Sequence, residues 1–231
     1  KPDLTGKLAD GCVLAMSFEH TTANQQDGTF LDMSGSGRKV KKGKTVFRSG
    51  RVGQGVQFDG QGDPAGNRGA FLELPALRVL TVAAWVKKEG SGPAIWFWGG
   101  TNAPNRAFIL GFHEAGTFQN WKQRDNGVYL GFWQLDVVIP APRAHTEWHH
   151  YAVSWDGATR VRYAVDGTLM PGGVVSGTEI TTQKGKLTLP RAPTPDERQP
   201  PILGAGRADP NWASMAAFRG LIDELAIWDR E

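Results

Sequence analysis

The sequence has only one cysteine, Cys12, in 231 residues. A single cysteine excludes an intrachain disulfide and leaves a thiolate zinc site without its usual partners. The residues around it, 11–15, are small or apolar. We therefore expect Cys12 to be a small buried hydrophobic residue and not a reactive thiol.

Long hydrophobic runs are also absent. No apolar run approaches the ~18 residues that a membrane-spanning helix needs. Residues 1–4 lack the hydrophobic core of a signal peptide. We expect no membrane insertion, and we expect any export signal to lie outside these residues.

The sequence shows no convincing amphipathic helix and no repeat of the length found in solenoids or propellers. It has 30 glycines and 14 prolines, and apolar segments of strand length recur between them. This pattern predicts an all-β fold of many short strands joined by tight turns. The predicted strands are 13–18, 55–58, 70–74, 81–87, 108–112, 128–133, 149–155, 160–165, 186–189 and 221–228.

We expect one domain over residues 1–231, because β-sandwiches commonly reach this length. The proline-rich segment 189–201 resembles a linker, but the residues after it are too few to form a core of their own. Within the domain, Asp156-Gly157 and Asp166-Gly167 predict turns, since glycine accepts the positive φ that tight turns need. They delimit a strand hairpin from His149 to about Leu169.

The net charge is only +3, but seven cations are concentrated in residues 38–51 with no acidic residue among them. One interpretation is a solvated loop and edge strand, in which lysines discourage edge-to-edge pairing. The other is a patch that meets an anionic polysaccharide, sulfated or uronic. No nucleic-acid motif accompanies the patch, so we expect no nucleic-acid partner. The seven cations are Arg38, Lys39, Lys41, Lys42, Lys44, Arg48 and Arg51.

Several segments resemble the laminin-G-like jelly roll of the concanavalin-A-like lectin and glucanase superfamily. They occur in the family's order and span nearly the whole chain. The resemblance implies a two-sheet antiparallel β-sandwich. It also implies a secreted or cell-surface module, of bacterial origin, excised from a larger multidomain protein. The segments are 14–19, the D-x-S-G-x-G stretch 32–37, 53–60, 81–87, 148–157, 163–167 and 218–228.

Tryptophans in these segments are expected to support the fold. We assign Trp85, Trp148 and Trp155 to the core or its margin, because each buries a large aromatic surface between sheets. His149 and His150 are neighbours in one strand, so their side chains should point to opposite faces. We expect one of these histidines to be packed and the other to be exposed.

The superfamily includes glucanases, which carry their carboxylates as E-x-D-x-x-E. The nearest candidate here, 221–226, has leucine at the first glutamate position, and its Asp223 and Glu224 are adjacent. Retaining hydrolysis needs two carboxylates facing each other, and adjacent strand residues face opposite ways. We therefore expect no enzyme. A lyase remains an alternative that no motif supports, and its candidate residues are His113, Arg124, Tyr129 and His145.

The resemblance also implies a structural calcium ion in many relatives. The positions carried over are Asp32 and Asp223, with the Glu19 side chain and loop carbonyls around Ser34 and Gly37. Calcium prefers such hard oxygen ligands. The alternative is that Asp32 caps a turn and Asp223 makes a hydrogen bond within the sandwich.

The region 93–143 is richer in tryptophan and polar partners than a fold of this kind requires. Aromatic faces stack on sugar rings, while amides and arginines hydrogen-bond the hydroxyls. The predicted ligand-binding residues, in order, are Trp121, Trp98, Trp212 and Arg124, followed by Trp133 and Arg106.

These observations favour a non-catalytic carbohydrate-binding module, with a polysaccharide or oligosaccharide as partner. We expect a monomeric module tethered to other domains. A protein-binding or adhesion module of the same fold is the first alternative, because fold alone does not fix function. A glycan-active enzyme is the second.

Overall fold

The structure is a computed structural model, and its description covers part of the chain. The described residues are 6–19, 23–24, 28–61, 69–72, 74, 79–90, 94–100, 107–113, 127–131, 136–140, 146–155, 161–170, 174–176, 202–204 and 218–230. Among these residues, no helix has the length and hydropathy needed to cross a membrane.

Strands account for nearly all of the regular structure, and the described helix is a short 3₁₀ turn, Gly6–Leu8. The strands are β1 (Cys12–Met16), β2 (Ala23–Asn24), β3 (Thr29–Leu31), β4 (Lys39–Lys41), β5 (Val46–Ser49), β6 (Gln54–Asp59), β7 (Ala70–Leu72), β8 (Leu80–Lys88), β9 (Ala94–Gly100), β10 (Ala107–His113), β11 (Gly127–Gly131), β12 (Asp136–Pro140), β13 (His149–Trp155), β14 (Val161–Val165), β15 (Thr168–Leu169), β16 (Val174–Ser176), β17 (Ile202–Leu203) and β18 (Arg219–Trp228).

The strands form two antiparallel sheets. The eight-stranded sheet has the order β15-β14-β13-β8-β18-β6-β5, and β1 also pairs with β18. The ten-stranded sheet has the order β16-β12-β11-β10-β9-β17-β7-β4-β3-β2. The all-β, two-sheet prediction is therefore confirmed.

The core lies between the sheets and is rich in aromatic rings. Phe112 of the ten-stranded sheet meets Tyr151 of the eight-stranded sheet edge-on, with ring centroids 5.4 Å apart. Phe18 and Phe30 make a similar contact at 5.2 Å. Such edge-to-face pairs add to the stabilisation that burial of apolar area supplies. The fully buried Trp96 belongs to the same core.

Most predicted strands are present with small differences at their ends. The hairpin is also confirmed: β13 pairs with β14, and Asp166 and Gly167 turn the chain with positive φ. The predicted turn at 156–157, the strand at 186–189 and the segment 189–201 lie outside the described residues. One domain over 1–231 stays a prediction.

The cationic segment, residues 38–51, contains two strands, β4 and β5, that the pattern of apolar residues did not predict. Lysine and arginine are poor strand markers, since β-propensity favours β-branched and aromatic residues. Only Val40 within β4 is buried. β4 belongs to the ten-stranded sheet and β5 ends the eight-stranded sheet, so the segment crosses from one sheet to the other. The edge-strand interpretation of this segment is correct for β5.

Candidate functional site

Five of the six predicted ligand-binding residues lie outside the described residues: Trp121, Trp212, Arg124, Trp133 and Arg106. The sixth, Trp98, is in β9, where its backbone pairs with Ile109 and Ile202. Its side chain also lies outside the description. All six stay predictions.

A second surface was not predicted, and it lies on the outer face of the eight-stranded sheet. We use this name for the side of the sheet that points away from the core. Val82, Ala84 and Val86 of β8 belong to the core. Because side chains alternate along a strand, Ala83 and Trp85 point to the outer face.

Five alanines stand side by side across this outer face. Register pairs join Ala164 to Ala152, Ala152 to Ala83, Ala83 to Ala226, and Ala226 to Ala15. We call this set the alanine row. Each side chain ends at a methyl group, so the row forms the floor of a shallow channel between taller neighbours.

The channel is most open at one end. Ala152 and Ala164 are half-buried, whereas Ala83 and Ala226 are each 6% exposed and Ala15 is fully buried. The accessible floor therefore lies over β13 and β14.

One side of the channel is aromatic and cationic. Trp85 pairs in register with His150, and their ring centroids are 5.4 Å apart. The guanidinium carbon of Arg51 lies 4.7 Å from the centre of the Trp85 ring. Burial lowers the pKa of His150, although the charge of Asp166 opposes the effect. His150 is therefore a neutral hydrogen-bonding group at pH 7.

The other side carries Trp228, Thr81, Ser154 and Arg162, which form a second register row. Trp228 is half-buried and donates its Nε1 proton to the Leu8 carbonyl at 2.8 Å. The Ser154 hydroxyl has no hydrogen-bond partner among the described residues. This side adds a second aromatic ring and several hydrogen-bonding groups.

The expectation for the tryptophans is met in part. Trp155 is 8% exposed and belongs to the core, as predicted. Trp85 lies at the margin, half-buried on the outer face. The sequence carried the signal, since strict alternation in 81–87 groups Trp85 with Thr81 and Lys87, both polar. Alternation likewise places Trp228 opposite the core residues Leu225 and Ile227. We did not predict its position on the outer face.

The two neighbouring histidines face opposite ways, as predicted. His150 meets Trp85, whereas the His149 ring packs against Tyr151 with centroids 6.2 Å apart. His149 Nδ1 lies 2.6 Å from an Asp166 carboxylate oxygen. Both histidines are half-buried, so the expected contrast between a packed and an exposed side chain is wrong.

Asp223 is fully buried beneath the loop Gly50–Gln54, which we call the 50–54 loop. Its carboxylate accepts backbone N–H bonds from Arg51, Val52 and Glu224, each at 2.9 Å. A Cβ atom at Gly50 would lie 2.6 Å from the carboxylate, which explains glycine there. Burial raises the pKa of Asp223 to about 7, and the charge of Glu224 raises it as well. The three N–H bonds lower the pKa but do not outweigh burial.

Glu19 lies under the same loop and accepts the Gln54 N–H at 3.1 Å. Burial raises the pKa of Glu224, and the nearby charge of Glu19 raises it further. One Glu224 oxygen, Oε1, is buried without a hydrogen-bond partner among the described residues. The ionised forms of Asp223 and Glu224 are therefore disfavoured under the 50–54 loop.

Asp32 is in a different environment. Its carboxylate accepts the backbone N–H groups of Ala15, Ser34 and Arg38, together with the hydroxyls of Ser34 and Ser36. Burial acts to raise its pKa, but the hydrogen bonds from Ser36 and Ser34 outweigh burial and the pKa is lowered. These five donors occupy its acceptor sites.

The predicted calcium ligands therefore separate into two groups. Glu19 and Asp223 share the 50–54 loop and have the oxygen chemistry that calcium prefers. Asp32 does not fit, because its lone pairs are taken by protein donors. Among the described residues, no three His, Cys, Asp or Glu side chains are grouped to hold a metal ion. A calcium ion would have to rest on two carboxylates and loop carbonyls.

Cys12 is only half-buried, less than expected, with its thiol 3.5 Å from the Leu14 carbonyl. Burial raises its pKa. Because the thiolate is the nucleophilic form, the raised pKa makes this thiol less reactive.

Comparison with known proteins gives a family match. A family model described as the concanavalin A-like lectin/glucanases superfamily matches residues 66–231. No curated protein matches the chain.

Solved structures share the fold at low sequence identity, which supports the fold alone. Domain 4 of AbnA, a GH43 extracellular arabinanase from Geobacillus stearothermophilus in complex with arabinotriose, has a TM-score of 0.57 at 20% identity, over 94% of this chain and 91% of that one. The binding domain of Paraclostridial Mosquitocidal Protein 1 has a TM-score of 0.61 at 11% identity, over 97% of this chain and 50% of that one. Trypanosoma rangeli sialidase in complex with 2,3-difluorosialic acid has a TM-score of 0.57 at 17% identity, over 96% of this chain and 31% of that one.

Proposed function

Since this chain belongs to the concanavalin A-like lectin/glucanases superfamily, we propose that it is a non-catalytic carbohydrate-binding module that holds a sugar chain against its outer face. The observation that carries the proposal is the alanine row, a shallow channel with Trp85 on one side and Trp228 on the other. Its floor is accessible over Ala152 and Ala164.

The dimensions and chemistry of the channel suit a sugar chain. Thr81, which pairs with Trp228, precedes Trp85 by four residues on β8. Four residues span roughly 13 Å along a strand, so the rows that hold Trp85 and Trp228 lie far enough apart for a sugar ring to rest on the alanine floor between them. The tryptophan rings offer apolar surface to sugar C–H groups, while His150 and Arg162 offer hydrogen bonds to hydroxyls.

A domain of similar fold supports the proposal. The arabinanase domain was determined in complex with arabinotriose, and the match covers nearly all of both chains. We carry the binding of a sugar chain, and not the identity of the sugar, over to this protein. We also propose a secreted or cell-surface location as one module of a larger protein.

The carboxylates of β18 favour binding over hydrolysis. Asp223 is fully buried under the 50–54 loop, and its oxygens accept three backbone N–H bonds. A glycosidase needs a second carboxylate across the scissile bond from the first. Neighbouring Glu224 has one oxygen buried, so the pair offers no open catalytic cleft.

The test is affinity electrophoresis against neutral, uronic and sulfated polysaccharides. We expect at least one polymer to retard the wild-type protein. Trp85→Ala and Ala164→Tyr should each weaken that binding by roughly tenfold, a change of about 1.4 kcal/mol. The first variant removes the ring beside the channel, and the second fills the open end of the floor.

Matched controls separate binding from folding. Leu31→Ala removes an apolar side chain that is 59% exposed on the ten-stranded sheet. Thr168→Tyr adds a ring at an exposed position in β15. Both should bind like the wild type, and thermal unfolding should be unchanged in Ala164→Tyr. If no polymer retards the protein, the proposed function fails and a protein partner becomes the better explanation.

A further inference from the structure

We propose that the bound glycan is anionic and that Arg51 is the residue that recognises its carboxylate or sulfate group. The inference rests on the proposed function, because it places the acidic group beside the sugar that occupies the channel.

Arg51 is held at both its backbone and its side chain. Its N–H donates to the buried Asp223 carboxylate at 2.9 Å, which anchors the 50–54 loop. Its guanidinium stacks on Trp85 at 4.7 Å from the ring centre. Stacking restricts the side chain and leaves the N–H groups at the guanidinium edge free to donate. Less entropy is then lost when an anion binds.

Arg51 lacks an anionic partner within the described part of the chain. The ion pairs between described residues, such as those of His149 with Asp166 and of Arg230 with Asp10, include none with Arg51. Asp223, which accepts the Arg51 backbone N–H, has both oxygens engaged by backbone N–H groups. The Arg51 side chain is exposed, so its donors are accessible from solvent.

The position of Arg51 links the cationic segment to the channel. Arg48 of β5 lies on the same outer face, because it pairs with Gly55 while neighbouring Phe47 packs on the core. Arg51 is the last cation of the segment and covers Trp85 beside the alanine row. A sugar ring bound on the alanine row would place its acidic substituent next to the Arg51 guanidinium. Arginine binds carboxylate and sulfate oxygens through two parallel hydrogen bonds.

Nucleic acid is the less favoured polyanion. Phosphate binding would use the cations by charge alone, with no need for an alanine floor. Lys39 and Lys41 lie on the ten-stranded sheet, away from the channel, and both are exposed. An acidic glycan uses the stacked guanidinium and the floor together.

The experiment measures affinity for polygalacturonate, for the same polymer after carboxyl reduction, for a sulfated galactan and for its desulfated form. We expect the wild-type protein to bind at least one acidic polymer tenfold or more tightly than its neutral counterpart. Arg51→Gln should abolish that preference, so that the acidic polymer and its neutral counterpart bind equally. Arg51→Lys should restore only part of it, since a point charge lacks the two-pronged geometry. The two polymer pairs separate carboxylate from sulfate recognition.

Lys39→Gln is the charge control, because it removes one exposed cation from the other sheet. Equal loss in Arg51→Gln and Lys39→Gln, or equal binding of duplex DNA, would mean that unspecific charge attracts the polymer, and the inference would be overturned. Equal binding of acidic and neutral polymers would also overturn it but would leave the proposed function standing. Absence of binding to every polymer would defeat both.

Discussion

Asp32 and Asp223 are both buried carboxylates, and both were predicted to hold the same calcium ion. Asp32 accepts five hydrogen bonds from its own loop and from β1, and its pKa is lowered. Asp223 accepts three, and burial together with the Glu224 charge raises its pKa to about 7. The hydrogen bonds to Asp32 favour its ionised form, whereas burial disfavours the ionised form of Asp223. The same residue type thus has opposite electrostatic roles in two loops.

Removing Asp32 should have the largest effect. Asp32→Ala leaves three backbone N–H groups without their acceptor, and hydrogen bonds to a charged group contribute about 1.5–3 kcal/mol each. Because neighbouring groups relax, we expect a loss of roughly 3–4 kcal/mol in the free energy of unfolding, measured by urea denaturation. Asp32→Asn, which keeps one acceptor oxygen, should lose less. A loss below about 1 kcal/mol in Asp32→Ala would contradict the network.

Changing pH should separate the two carboxylates. The pKa of Asp223 is about 7 in the folded protein and 3.8 without burial, so the folded state binds more protons between these values. Its stabilising contribution is complete below 3.8 and is lost as pH rises towards 7. By linkage the difference between these pKa values corresponds to at most about 4 kcal/mol. Because neighbouring groups relax, we expect Asp223 alone to lower the free energy of unfolding by roughly 2–3 kcal/mol across that range. Urea titrations at several pH values, compared with Asp223→Ala, should show a flatter profile in the variant.

Calcium should sharpen the contrast further. Millimolar calcium at pH 8 should raise the melting temperature by a few degrees, because a cation bound only to the folded state stabilises it. Glu19→Gln and Asp223→Asn should abolish the increase, whereas Ser34→Ala, beside Asp32, should retain it. An unchanged melting temperature in the wild type would contradict the predicted calcium site. An increase that survives in Glu19→Gln would place the ion elsewhere.

The smallest effect is expected at the hydroxyls of the Asp32 loop. Ser36 Oγ lies 2.6 Å from the Asp32 carboxylate. Ser36→Ala should cost about 1 kcal/mol and should raise the pKa of Asp32 towards its ordinary value. The pKa is measured by NMR titration of the carboxyl carbon. An unchanged pKa would mean that the backbone N–H groups alone hold this carboxylate.

Local patterns in the sequence were sufficient to predict the fold. The alternation in 81–87 and the Asp166-Gly167 turn each depend on neighbouring residues, and both are confirmed. Local sequence also gave a turn-capping role for Asp32 as the alternative to metal binding. In the structure, Asp32 caps its turn by accepting hydrogen bonds from the backbone and the hydroxyl of Ser34.

The candidate site could not be predicted in the same way. The alanine row exists only because five strands pair in one register, and three of the four pairings join segments that are distant along the chain. Each of the five strands contributes one alanine to the row, so no pattern within a single strand reveals it. The stacking of Arg51 on Trp85 likewise joins a loop to a strand 34 positions later. The sequence therefore pointed to the tryptophan-rich region 93–143 as the main ligand-binding region.

The position of β18 has a consequence for the order in which the molecule forms. This strand pairs with β8, β6 and β1, so residues 219–228 occupy the middle of the eight-stranded sheet. Contacts between segments so distant along the chain make folding slow. During synthesis, β1, β6 and β8 are made long before β18. Until β18 is made, the edges of these strands that pair with it have no hydrogen-bonding partner. Such exposed edges attract other chains, so protection by a chaperone should matter most during that interval.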